Sequence, residues 1–161
     1  MTRSRATATI EGVLRLSKKS DYALIAMKHL ALKTDQGGSS SAREIAEQYD
    51  IPIELMAKVL QRLVKSGLLA SHQGTRGGYQ LGRPATAISV ADVIQAIDGP
   101  VQITVCSTDD ELCEQYAKCN VRDPLWRIRE RILDALRSCT IAEIAADNTP
   151  ASPVQVLIHS R

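Results

Sequence analysis

The chain has 161 residues, 44% of them hydrophobic, and a formal net charge of only +2. That length allows one or two small domains with a core of their own, and with no Phe and 3% aromatic residues that core must be aliphatic. No run approaches the ~20 apolar residues of a membrane span, and residues 1–12 lack the apolar stretch of a secretory leader, so a cytoplasmic protein with no membrane partner is expected.

Residues 1–12 are polar and rich in Thr and Arg, and read as a disordered extension. Ser17 is placed to cap a helix over 18–33. Tyr22, Ile25, Ala26 and Leu30 make one apolar stripe on it, and Leu24, Met27 and Ala31 a second side; a helix apolar on two sides is expected to touch more than its own domain, a partner subunit included. TDQGGSS at 34–40 is a loop. SARE at 41–44 is a capping box, opening a short helix with Ile45 and Ala46 inward. A second helix follows Ile51 and Pro52 and runs to Lys65, with Met56, Val59, Leu60 and Leu63 toward the core and Gly67 placed for a left-handed stop. Residues 68–73 and 79–81 read as two strands around the turn GTRGG at 74–78. Ser89 caps a helix over 90–97, closed by Asp98, Gly99 and Pro100. Asp123 followed by Pro124 is a cap-then-proline start for a long helix to about Ser138, whose apolar face is Leu125, Ile128, Ile132, Leu133 and Leu136. Thr140 and Glu143 cap a last short turn. Residues 147–161 read as a flexible tail.

Charge is uneven along this order. Between Leu55 and Ala91 stand five cations (Lys58, Arg62, Lys65, Arg76 and Arg83) and no acid, whereas 98–147 holds ten acidic and six basic residues. Two helices joined by a short turn, the second basic outside and apolar inside, followed by a glycine-tipped hairpin, describe a winged helix-turn-helix, and the expected partner is a double-stranded DNA operator. The second helix would enter the major groove with Glu54, Ala57, Lys58 and Gln61 toward base edges. Arg62 and Lys65 lie further along, toward phosphate. In the wing, Gly77 lets backbone approach the duplex, and Arg76 reaches the minor groove or a phosphate. The same fold used only for protein contacts is the alternative.

Three cysteines, Cys106, Cys113 and Cys119, fall within fourteen residues between two helices. Thiolates suit iron–sulfur clusters or zinc. Zinc sites more often use tighter pairs, so this spacing favours a cluster, with a thiol redox switch and zinc as alternatives. Cys139 reads as a buried apolar side chain and not a ligand, and His29, His72 and His159 as scattered and unpaired. No phosphate loop, nucleophile–base pair or carboxylate pair points to an enzyme. An electron carrier would leave the basic helix and wing unexplained.

LSKKSDYAL at 16–24, GTRGGYQLGR at 74–83 and ADVIQAIDGP at 91–100 resemble the signature stretches of the IscR-type winged-helix regulators, a family that includes the Isc- and Suf-system regulators, NsrR and RirA. The resemblance covers about 14–142, and LRLSK at 14–18 is most similar to the Suf-system regulators. It implies a mainly helical fold with a small β wing: a winged helix-turn-helix at 13–100, a cluster-binding loop at 101–123, and a dimerisation region at 124–146 whose long helix, 124–138, crosses between subunits. It also implies a regulator, expected to be a repressor of iron–sulfur assembly or iron and redox-stress genes, with a 2Fe–2S or 4Fe–4S cluster on Cys106, Cys113 and Cys119. Isc-type members carry a His three residues after the last cysteine; here Arg122 stands there, and a cation does not ligate iron. Nitric-oxide-responsive members take an Asp near the N-terminus, and Asp21 matches it. An acid in the first turn of a helix is also favourable by itself, and Glu111, Glu114, Asp123 or a small ligand stay open as the fourth.

Overall fold

The computed structural model describes residues 16–74, 77–101 and 114–147. Their elements run α1 (Lys18–Thr34), α2 (Ala42–Gln48), α3 (Ile53–Lys65), β1 (Leu69–His72), β2 (Gly78–Leu81), α4 (Val90–Asp98), α5 (Arg122–Ser138) and α6 (Ile141–Ala146). Short 3-10 turns lie at Ala85–Ala87 and Tyr116–Lys118.

Local chemistry fixes most boundaries. Ser17, Ser41, Ser89 and Thr140 each accept a backbone N–H of the helix they precede. In α2, α4 and α6, Glu44, Asp92 and Glu143 complete the box by accepting the cap residue's own N–H. At the end of α3, Gly67 adopts φ +74°. Its N–H bonds the Val64 carbonyl at 3.0 Å, and that of Leu68 bonds Leu63 at 3.0 Å. This is the double bond of a glycine-terminated helix, and it turns the chain straight into β1.

Helix α1 is the central post. Its Ala23, Ala26, Met27 and Leu30 are fully buried in one aliphatic core with Ile45 of α2, Met56, Leu60 and Leu63 of α3, Val93 of α4 and Ile141 of α6. Its two apolar sides meet α3 and β2 and also α4 and α6 of the same chain, so α1 touches an element beyond residues 13–100. The hairpin is antiparallel, with Leu69 opposite Leu81 and His72 opposite Gly78. Ser40 exchanges two backbone bonds with Tyr79 (3.2 and 2.8 Å), a single bridge that ties the loop before α2 to the hairpin's base.

The start of α5 departs from the cap-then-proline expectation. The helix begins at Arg122 behind Val121, without a side-chain cap, so Asp123 and Pro124 both lie in its first turn. Proline is tolerated there because that N–H has no helical partner in any case. Asp123 instead pairs with Arg122 at 2.8 Å. Of the 17 residues of α5 only Leu133 is buried. Two backbone bonds stitch its end to the body: Val90 N–H to the Cys139 carbonyl and Ile141 N–H to the Ile88 carbonyl, each 2.9 Å.

Candidate nucleic-acid interface and cysteine segment

Helix α3 divides cleanly. Met56, Val59, Leu60 and Leu63 are buried, while Glu54, Lys58, Gln61, Arg62 and Lys65 are exposed and Ala57 is half-exposed. Glu54, Lys58, Gln61 and Lys65 are spaced by four, three and four residues, one stripe along the outer face. Glu54 stands at the N-terminal end and the cations toward the C-terminal end, each favoured by the helix dipole. A helix held this way by its apolar side presents a polar edge of the width a major groove accepts.

Beside it, the hairpin needs glycine at Gly77. A Cβ there would stand 2.6 Å from the His72 carbonyl oxygen and 2.9 Å from that of Gly74, both backbone atoms that cannot yield. The Gly77 N–H closes the turn on Gly74 at 2.8 Å. Thr75 and Arg76, at the tip, lie outside the described residues.

Arg62 is the expected phosphate ligand with a task inside the fold. Its guanidinium donates to the carbonyl of Ile97 in the last turn of α4, a carbonyl that a helix end leaves without a helical partner. One residue on, Asp98 accepts from Ser17 and Ser20 of α1, both at 2.7 Å. The last turn of α4, which leads directly into the cysteine segment, is therefore tied to α3 on one side and to the start of α1 on the other. Sequence reasoning missed both ties, and it missed Lys19, which shares a cleft with Lys58, Arg62 and Lys65. The KK pair at 18–19 was the only signal.

Cys106 and Cys113, with Glu111, lie outside the described residues. Cys119 is half-exposed at the end of the short turn before α5. Arg122 stacks over Tyr116 with its guanidinium carbon 4.3 Å from the ring centre. The hydrogen bond to Asp123 raises the pKa of Arg122, and that from Arg122 holds the Asp123 carboxyl below its ordinary value. Asp123 is thus engaged by a cation, while Glu114 and Asp21 are exposed. Among the described residues no group of three His, Cys, Asp or Glu side chains is gathered as a metal site. Cys139 is half-buried at the end of α5, short of the full burial expected of it, because that helix buries only Leu133.

The reading of the histidines as unpaired fails for His29. It is 5% exposed, with Nε2 2.9 Å from Ser40 Oγ and Nδ1 3.3 Å from Tyr49 Oη. It joins α1 to the base of the wing and to the end of α2.

Comparison with known proteins agrees with this geometry. The family described as "Rrf2: Iron-dependent Transcriptional regulator" matches residues 16–147. The HTH-type transcriptional regulator IscR of Erwinia tasmaniensis is 39% identical over 157 residues, 92% of this chain and 93% of that one. Among solved structures, CymR of B. subtilis, titled the global cysteine regulator, superposes with a TM-score of 0.68 at 31% identity, covering 83% of this chain and 97% of that one. IscR of T. potens does so with 0.66 at 26% identity, covering 86% and 94%. The relatives are named as regulators, not enzymes, and among the described residues no helix is long and apolar enough to cross a membrane.

Proposed function

The chain belongs to the Rrf2 family of transcriptional regulators, and from that premise we propose a homodimeric repressor of iron–sulfur assembly or iron and redox-stress genes, with its affinity for operator DNA set by a labile iron–sulfur cluster. Cys106, Cys113 and Cys119 would hold the cluster. Three soft thiolates fit it, and Arg122 at the position of the Isc-type His leaves a weak fourth ligand, for which Asp21 of the partner subunit's α1 is the proposed source. A cluster so held is readily lost to oxygen, nitric oxide or iron shortage, which is the chemistry a sensor needs.

The observation that carries the coupling is the hydrogen bond from Arg62 to Ile97. Any change that shifts the end of α4 acts on α3 through it. Fixing the segment between α4 and α5 would set where α5 starts. Helix α5, with Trp126 and Ile128 exposed in its front half and Val121 exposed just ahead of it, is the proposed dimer contact, and a dimer must hold its two reading helices about 34 Å apart. Glu54, Ala57, Lys58 and Gln61 would read bases; Arg62 and Lys65 would meet phosphate, the Gly77 backbone would approach the duplex, and Arg76 would enter the minor groove or pair with a phosphate.

The test is to purify the protein without oxygen, measure iron and sulfide per chain, and titrate the loaded and stripped forms onto promoter fragments of iron–sulfur assembly genes. Iron and sulfide lost on changing Cys106, Cys113 or Cys119 to Ala, with different affinities for the two forms, is expected. Equal affinities on every fragment reject the coupling. A second reading, a thiol switch without a cluster, is favoured by Arg122 standing near a half-exposed Cys119. An iron-free protein that cannot be reconstituted, yet loses DNA on oxidation, would establish it instead.

A further inference from the structure

A cleft of about 280 Å³ lies where the first turn of α1 meets α3 and the end of α4. Lys19, Lys58, Arg62 and Lys65 stand around it, Leu55, Val59 and Ile97 supply apolar wall, and no acidic residue lines it. Resting on the DNA-binding reading, we infer that this cleft is a seat for one backbone phosphate of the duplex, with Lys19 of α1 as its outer jaw.

Four cations around one small space repel each other, and an anion placed among them relieves every pair at once. The apolar wall lowers the local dielectric, so each attraction there is stronger than on an open surface. Arg62 is already oriented: one of its five donors is spent on the Ile97 carbonyl, which fixes the guanidinium plane before a ligand arrives. Asp98, whose charge attracts Lys19, is turned to Ser17 and Ser20. The seat shares Lys58 and Gln61 with the base-reading stripe. When α3 enters a major groove, one of the two flanking strands must pass this side of the helix, so the phosphate is delivered by the same docking that delivers the bases.

The seat also extends the interface from one helix to two. Lys19 lies far from α3 in sequence, and its reach fixes the angle between α1 and the duplex. Ile97 forms part of the wall, so the end of α4 shapes the seat directly.

The experiment uses the full chain and a fluorescein-labelled duplex of arbitrary sequence, because phosphate contacts do not read sequence. Anisotropy titrations at several salt concentrations are compared for the unsubstituted chain, Lys19→Gln and Lys18→Gln. Lys18 is the neighbouring exposed lysine that does not line the cleft. Lys19→Gln is expected to weaken binding several-fold and to flatten the slope of log affinity against log salt by about 0.9 per seat, with Lys18→Gln leaving the slope in place. A Lys19→Gln slope equal to that of the unsubstituted chain overturns the seat, as does an equal loss in Lys18→Gln, which would mean diffuse attraction. Failure of the unsubstituted chain to bind any duplex would instead remove the DNA reading, and the seat with it.

Discussion

Asp98, the last residue of α4, accepts a 2.7 Å hydrogen bond from Ser20, a fully buried side chain 78 residues earlier in the first turn of α1. Its other oxygen takes Ser17 at 2.7 Å. One carboxylate thus binds the hydroxyl of the helix cap and that of the first turn, where the dipole of α1 also favours negative charge.

Removing that carboxylate by Asp98→Ala should cost about 1 kcal/mol, a fall in Tm of about 2–4 °C for a chain of this size. Burial pushes the Asp98 carboxyl up, but the bonds from Ser17 and Ser20 and the charge of Lys19 outweigh it and hold the pKa below its ordinary value. With the folded value depressed, the stabilisation is complete above the ordinary carboxylate pKa of about 4 and is lost as pH falls through the folded value. The gap between variant and parent should therefore be widest near neutrality and close in acid. Identical melting curves at neutral pH would refute the anchor.

His29 should make the base of the wing acid-sensitive. Burial lowers its pKa, Lys33 lowers it further, and Glu44 opposes them; the Tyr49 and Ser40 hydroxyls face its two ring nitrogens. A His with its folded pKa below the unfolded value of about 6.5 binds protons more readily when unfolded, so stability falls as pH drops below that value and goes on falling until the folded pKa is passed. Melting temperatures between neutral pH and mildly acidic pH should decline in the parent and decline less in His29→Gln. Parallel profiles would show that His29 stays neutral or titrates without consequence.

Gly77→Ala tests the wing. The added methyl meets the His72 and Gly74 carbonyl oxygens, so the hairpin must reshape while the helical core, which it does not touch, persists. Expected are an unchanged helical circular dichroism signal and a loss of about tenfold in DNA affinity, roughly 1.4 kcal/mol. Full affinity in this variant would mean the hairpin is not a contact.

Ile128 is 47% exposed on α5 and supports no core of its own chain. Ile128→Glu should shift the protein from dimer to monomer in sedimentation velocity with little change in circular dichroism. A dimer of unchanged strength would place the contact elsewhere.

The architecture was legible because its signals are local. The boxes at Ser41 and Thr140 need only residues three apart, and the buried set Met56, Val59, Leu60 and Leu63 follows from one helical period. What escaped depends on distant pairs. Nothing near Ile97 announces Arg62, and nothing near His29 announces Ser40 and Tyr49. The two-sided apolarity of α1 was visible, but the partner that satisfies it, α6, lies more than a hundred residues away. The misplaced start of α5 has a different cause: Asp followed by Pro fits both a cap with the first helical position and two positions inside the first turn, and only the pairing of Asp123 with Arg122 separates them.

The bonds at Val90 and Ile141 give α5 a pivot. Its rear end is pinned at Cys139 against the start of α4, and its front end bears Arg122 and adjoins Cys119. Seventeen residues make an arm of about 25 Å at 1.5 Å each. A swing of roughly 5° about the rear moves the front by about 2 Å on that length, and a rearrangement at the front is delivered at the hinge with its amplitude reduced and its force multiplied. Cys119 therefore sits at the end of the arm where the least effort turns it.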